Sequence, residues 1–291
     1  MKQITNNKEK LFIVFMFVSI IAFMSNCSGG SGYVPAGNNP SVCSQNLPAD
    51  MQKLLGCTTQ QPQQQTPPTQ CTAIPQQGPI SVGLNAQNYG LGGFVAGATI
   101  SLFTSTNNTV TNQTPDITVT SGSSGTVTTT LPTGVPFAVK ASASGYMDTY
   151  QFGEIVAAAQ AGTLLPVELM SSTIVGLASG SAKVTQDPTM GAIVGTVNNC
   201  GGSSVIQNAV IVLYNTGTGV TITTGIFYGK PPLGLPDPSL TSTSSQGDFL
   251  AFNVPPGIYQ VQASDATTHT TIGQSYAEAI TGSVSIVNIQ P

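Results

Sequence analysis

The chain has 291 residues and a formal net charge of −4, and only 6% of its residues are charged. Only seven side chains are cationic, all of them lysines, and this predicts no nucleic-acid partner, because such binding requires clustered cations that displace counterions. The 32 glycines and 20 prolines, with a polar surface built mainly from Thr, Ser, Asn and Gln, are typical of β-sandwiches with many turns.

The N-terminal segment has the pattern of an export signal. Three lysines at positions 2, 8 and 10 precede an apolar run at 11–24, which is too short to cross roughly 30 Å of hydrocarbon comfortably. Ser25 and Asn26 then lead to Cys27, in a context that resembles a lipobox. We therefore predict a signal peptide at 1–26 and acylation of Cys27, with an ordinary secretory signal or an uncleaved anchor as alternatives. The predicted location is exported and membrane-anchored, at the outer membrane or cell surface, with the membrane contacted through the acyl chains.

Residues 27–78 have the composition of a tether. The segment is rich in Gly, Pro, Asn and Gln, most densely at 60–68, and cannot bury a core, so we predict a disordered spacer.

Four cysteines remain after Cys27, and an even number in an oxidising compartment predicts two disulfides with three possible connectivities. The candidates are Cys43, Cys57, Cys71 and Cys200. We favour Cys43 with Cys57, which is a local pair, and Cys71 with Cys200, which would pin the spacer to the body. No Cys-x-x-Cys knuckle occurs, so we predict no metal site.

From residue 79 onward the hydrophobic period changes to two. Apolar residues alternate with polar ones at 98–102, 137–141 and 259–263, and Gly- or Pro-rich turns separate these segments. The alternation predicts half-buried antiparallel strands.

The strands belong to an internal repeat. The segment 95–103 resembles 209–214, and 125–141 resembles 247–263, which indicates one module present twice, at 79–171 and 188–291. The connecting stretch 172–187 is predicted as a linker with a short helix, with a final strand of the first module as the alternative.

The repeated motifs resemble a known family. Gly247-Asp248-Phe249 followed by Val254-Pro255-Pro256-Gly257-Ile258-Tyr259-Gln260-Val261 is similar to the carboxypeptidase regulatory-like, transthyretin-like β-sandwich family, and the first copy departs from that pattern at 127 and 132–134. The resemblance implies an all-β fold of tandem antiparallel sandwiches and an accessory role in a secreted or surface protein. It implies no catalytic residues.

Catalytic sets are missing from the sequence. The chain has one histidine, His269, and it precedes the only segment with a faint likeness to a nucleophile elbow, whereas the hydrolase order requires the His after the Ser. The carboxylates of the two copies are scattered, and we interpret them as turn and edge residues; they include Glu154, Glu168 and Asp248. We predict that the protein is not an enzyme and needs no cofactor.

A binding surface could form from exposed aromatic rings and the Pro-rich loop of the second copy. The candidates are Tyr146, Tyr150, Phe227, Tyr228, Lys230, Pro231, Pro232 and Pro236. Strand aromatics such as Tyr214 are instead interpreted as packing residues. The predicted function is a non-catalytic structural or protein-interaction module of the cell envelope, with carbohydrate or peptide binding as the alternative and an envelope protein or glycan as the partner.

Overall fold

Strands account for nearly half of the described chain, which in the computed structural model comprises residues 70–105, 109–231 and 234–291. These residues fall within one structural unit. Their alternation of apolar and polar side chains places one set of residues in a core and the other at the surface, as in any half-buried strand. The prediction of an all-β fold is confirmed.

The first copy contributes seven strands: β1 (Ile80–Asn88), β2 (Thr99–Phe103), β3 (Ile117–Thr120), β4 (Thr126–Leu131), β5 (Phe137–Ser142), β6 (Thr149–Glu154) and β7 (Leu164–Leu169). The chain then forms one α-helix, α1 (Ser172–Ser181). The remaining strands are β8 (Gly191–Val197), β9 (Ala209–Asn215), β10 (Thr221–Ile222), β11 (Ile226–Lys230), β12 (Leu235–Asp237), β13 (Asp248–Val254), β14 (Gly257–Asp265), β15 (Thr271–Ala279) and β16 (Val284–Ile289).

The strands form three sheets in the described part of the chain. A nine-stranded central sheet has the order β12-β11-β13-β8-β16-β6-β5-β2-β3. A four-stranded sheet has the order β10-β9-β14-β15, and a three-stranded sheet has the order β4-β1-β7. Most neighbours are antiparallel, whereas β1–β7, β16–β6 and β16–β8 are parallel pairs.

Strand β16 joins the two copies. It comes last in the chain, yet it lies between β8 of its own copy and β6 of the first, with Ile286 opposite both Val194 and Gln151. Strands from before and after the predicted linker at 172–187 therefore belong to one continuous sheet.

The two faces of the central sheet bury different cores. One face packs on the four-stranded sheet, in a cluster that includes Phe152 of β6 and Phe249 of β13. The opposite face packs on the three-stranded sheet in the first copy, around Leu102 and Leu169, and on α1 in the second. Adjacent residues of one strand thus serve different cores, since their side chains point to opposite faces.

Helix α1 starts at an N-cap and covers part of the second copy. The Ser171 hydroxyl accepts a hydrogen bond from the Ile174 N–H at 3.2 Å, which satisfies one of the free donors of the first turn. Val175 and Ala178 are the buried residues of the helix and join the cluster around Val194 and Leu250.

Candidate functional site

Several predicted features lie outside the described residues. These are the signal peptide at 1–26, the acylation site Cys27, most of the tether, the Cys43–Cys57 pair and Pro232. They stay predictions.

The disulfide Cys71–Cys200 is confirmed. The two Cα atoms are 5.2 Å apart, and the bond joins positions separated by 129 residues. The Cys71 N–H also donates to the Pro291 carbonyl at 3.2 Å. The last part of the predicted tether is therefore fixed beside Pro291.

Two of the predicted platform aromatics are buried, so the prediction that they are exposed is wrong. Tyr150 is 7% exposed and Tyr228 is 4% exposed, because both point into the core beneath the four-stranded sheet. The Tyr228 hydroxyl accepts a hydrogen bond from the Ile211 N–H at 3.1 Å. The Tyr150 ring stacks near Phe152, with ring centroids 6.2 Å apart.

The other two aromatic candidates are partly buried and engaged within the protein. The Tyr146 hydroxyl donates to Asn88 Oδ1 at 2.6 Å. The Phe227 ring lies 6.0 Å from the Phe252 ring in a tilted contact. The four aromatic candidates therefore form no common exposed platform.

The Pro-rich segment is mostly part of a hairpin. Lys230 and Pro231 are exposed, while Pro236 is buried in β12 and accepts a hydrogen bond from the Ser181 hydroxyl at 2.7 Å. Lys230 Nζ pairs with Asp237 Oδ2 at 3.1 Å. The segment lines a shallow cleft of about 300 Å³ together with the end of α1.

A different pair of aromatic residues is exposed. Tyr214 of β9 is 42% exposed and Tyr276 of β15 is 36% exposed. Both lie directly opposite Gln260 of β14, on the outer face of the four-stranded sheet. The tyrosines are therefore two strands apart, about 10 Å by the ordinary strand spacing. The interpretation of Tyr214 as a packing residue is wrong, because its neighbours Leu213 and Asn215 point inward and its own side chain points outward.

A polar cavity lies between β7 and strands of the second copy. This junction cavity has a volume of about 460 Å³ and is lined by residues of both copies, including Tyr89, Gln151, Glu154, Glu168, Thr196 and Asp248. Its floor is the central sheet, where Asp248, Thr196 and Asn288 stand side by side on β13, β8 and β16. Its wall is β7, whose Glu168 N–H donates to Gln151 Oε1 at 2.8 Å.

A β-bulge directs Glu154 into the cavity. Strict alternation after Gln151 would send the side chain of Glu154 to the opposite face of the sheet. Gly153 has a φ of 74°, and the register of β5 and β6 shifts between Phe137 and Val139. The extra residue restores Glu154 to the face of Gln151, which is the usual effect of a bulge beside a site.

The cavity carboxylates have raised pKa values. Burial, followed by the charge of Glu168, raises the pKa of Glu154 to about 7. Burial also raises the pKa of Asp248 to about 6, against the lowering effect of a hydrogen bond from the Thr196 hydroxyl at 3.1 Å. The pKa of Glu168 is raised by burial, and the charge of Asp248 adds to this while a hydrogen bond from Gln87 opposes it.

The hydroxyl of Tyr89 belongs to the same electrostatic group. Its pKa is raised by burial first and then by the charges of Asp248 and Glu168. The four groups come from the segment after β1 and from β6, β7 and β13, so the fold brings together residues that the sequence separates by more than one module.

No cation compensates these carboxylates in the described part of the chain. The ion pairs there are Lys140–Asp148 at 2.6 Å and Lys230–Asp237 at 3.1 Å, and neither includes a residue of the junction cavity. The described residues also contain no group of three or more His, Cys, Asp or Glu side chains placed to hold a metal ion.

Within residues 70–105, 109–231 and 234–291, no helix has the length and apolar character needed to cross a membrane.

The fold and the cavity together define an all-β protein in which strands from both predicted copies, 79–171 and 188–291, form one central sheet. The chain matches no family model, and no curated protein sequence matches it. The carboxypeptidase regulatory-like resemblance therefore rests on the sequence motifs alone.

Solved structures give distant matches. The Bacillus anthracis TIE protein is 14% identical with a TM-score of 0.24, and the match covers 74% of this chain and 34% of that one. The shaft pilin SpaA of Lactobacillus rhamnosus GG is 11% identical with a TM-score of 0.26, covering 73% and 98%. GBS52, the minor pilin of Streptococcus agalactiae, is 10% identical with a TM-score of 0.26, covering 72% and 94%. The chain thus spans about a third of the TIE protein, and TM-scores this low support no assignment of function.

Proposed function

We propose that this chain is an exported, non-catalytic lipoprotein of the cell envelope whose body is a structural or protein-interaction module. The observation that carries the proposal is the shared central sheet, because it makes one continuous body of the two copies. The Cys71–Cys200 bond fixes the point at which the tether would join that body. Such a body would hold a partner at a fixed position relative to a membrane anchor and transmit force between them. This role requires no catalytic residues.

The anchor part of the proposal is supported by the sequence around Cys27. Lipid attachment through two or three acyl chains gives a far stronger hold than one, at ~0.8 kcal/mol per buried CH₂. We place the protein at the outer membrane or cell surface, where the tether would hold the body clear of the headgroups.

The test replaces the acylated residue. In the cells that produce the protein, Cys27→Ser should leave unprocessed precursor or move the protein out of the detergent phase, as seen by intact mass and detergent partitioning. Cys43→Ser is the matched control, because it replaces a cysteine of the same segment without touching the lipobox. Unchanged mass and partitioning of the Cys27 variant would refute the anchor.

Carbohydrate binding is a second candidate, and the Tyr214–Gln260–Tyr276 row is the observation that favours it. The two rings are exposed on a sheet face, and the Gln260 amide between them donates to Gln274 Oε1 at 2.6 Å. Exposed tyrosine rings stack on apolar ligand faces while their hydroxyls stay in water. A row of this kind fits an extended glycan laid across the strands, and depletion of the protein by an insoluble glycan would detect it.

A further inference from the structure

The junction cavity holds three carboxyl groups that no cation of the described residues pairs with. The Glu154 side chain makes no hydrogen bond or ion pair to a described residue, and the charge of Glu168 disfavours its ionisation. Glu168 is in turn repelled by Asp248. A cation placed among these carboxylates would relieve both repulsions, and it would interact strongly because the cavity is partly shielded from water.

A second, independent feature of the cavity is an unused donor. Gln151 is only 5% exposed, and its Oε1 accepts the Glu168 N–H at 2.8 Å, which fixes the orientation of the amide. Gln151 lines the cavity, and its hydrogen bond to a described residue is made through Oε1 and not through Nε2. Because Oε1 already accepts the Glu168 N–H, the amide nitrogen of Gln151 is left to donate to an acceptor of a ligand.

The shape and lining of the cavity restrict the ligand further. A volume of about 460 Å³ lies within the range of small-molecule sites and exceeds the needs of a single ion. Apolar surface is supplied by the Tyr89 ring, Pro166 and Leu250, next to the carboxylates. An aliphatic stem that ends in a charged group satisfies both kinds of surface.

We propose that the junction cavity binds a ligand with a primary ammonium group on an aliphatic stem and a nearby carbonyl acceptor, as a lysine residue in a peptide presents them. The ammonium lies among Glu154, Glu168 and Asp248, and the carbonyl accepts from Gln151 Nε2. The two copies contribute to one site, since Asp248 comes from the second copy and the other three residues come from the first. The site does not depend on the lipid anchor, so either proposal can fail without the other.

Calorimetric titration of the full chain in mild detergent at neutral pH tests this with three probes. The first is Nα-acetyl-lysine N-methylamide, and the second is the norleucine analogue, which keeps the stem and lacks the ammonium. The third is 1,5-diaminopentane, which has ammonium groups but no carbonyl. We expect the lysine probe to bind about tenfold or more tightly than the norleucine probe, as the loss of charge-assisted hydrogen bonds requires. The diamine should bind more weakly than the lysine probe.

Variants identify the site. Glu154→Gln should weaken the lysine probe about tenfold. Gln151→Leu should weaken the lysine probe and leave the diamine unchanged, because only the lysine probe offers a carbonyl. Asp187→Asn, which removes a carboxylate from outside the cavity, is the matched control and should bind as the unaltered chain does.

Equal affinity for the lysine and norleucine probes, or no binding of either, would overturn the proposal. Tighter binding of the diamine than of the lysine probe would overturn the carbonyl contact and assign the site to a free amine. Far-UV circular dichroism of each variant checks that it is folded, so that a loss of binding heat is not caused by unfolding.

Discussion

Replacing Glu154 by Gln should stabilise the protein at alkaline pH and not at acidic pH. The pKa of Glu154 rises from 4.5 to about 7 on folding, by burial and by the charge of Glu168. The folded state therefore holds the proton more tightly, and the free energy of unfolding falls as the pH rises from about 4.5 to about 7. At 1.36 kcal/mol per pKa unit the shift corresponds to about 3 kcal/mol. Solvent in the cavity screens part of this, so we expect Glu154→Gln to gain about 1–3 kcal/mol at pH 8.

The measurement is urea unfolding at about pH 4.5 and pH 8, with the disulfide intact. Far-UV circular dichroism is the suitable probe, since the chain contains no Trp. Glu168, Asp248 and Tyr89 are the other titrating groups of the cavity, and all remain in the variant, so part of the alkaline loss of stability persists. Asp187→Asn is the control with the opposite pH dependence. Hydrogen bonds from Thr189 lower the pKa of Asp187, so the contribution of Asp187 to the free energy of unfolding is lost as the pH falls. A gain in Glu154→Gln that is equal at both pH values, or a loss at pH 8, would refute the reasoning.

Two further predictions concern the disulfide and the exposed tyrosines. The Cys71–Cys200 bond closes a loop of 129 residues, for which chain entropy gives an upper value of about 5 kcal/mol, so the double variant Cys71→Ser/Cys200→Ser should lose about 2–5 kcal/mol of unfolding free energy. Urea unfolding measures the loss and non-reducing peptide mapping checks the pairing; unaltered stability would contradict the assignment of a structural role. The double variant Tyr214→Ala/Tyr276→Ala should lose retention on an insoluble glycan that retains the unaltered chain, while Gln262→Ala on the same face keeps it. Equal retention by both variants would exclude the tyrosine row.

The parts of the fold that sequence reasoning predicted are those set by local pattern. The two-residue period at 98–102 and 259–263 corresponds to β2 and β14, because alternation is a property of the strand itself. The pairing of Cys71 with Cys200 followed from the count of cysteines and from which pairs were local. Both inferences needed only neighbouring residues or a small set of combinations.

The candidate site depended on long-range pairing, which no local pattern contains. Glu154, Glu168 and Asp248 look scattered because the contact between them requires β16 to lie between β6 and β8. The bulge at Gly153 reverses the face that alternation predicts for Glu154. A glycine inside a strand is a recognised signal for a bulge, so this one signal was present in the sequence. The exposure of Tyr214 likewise depends on which face of β9 the core occupies.

The position of β16 explains why the cavity lies where it does. By sequence β16 belongs to the second copy, yet it covers the edge of β6, which would otherwise present unpaired N–H and C=O groups. Because β16 is parallel to both β6 and β8, it sets the two copies side by side rather than face to face. The three-stranded sheet and α1 then cover different strands on the same face of the central sheet, and Thr196, Asp248 and Asn288 on that face form the cavity floor. The strand that joins the two copies therefore also places the residues of the cavity together. A ligand held there contacts both copies at once.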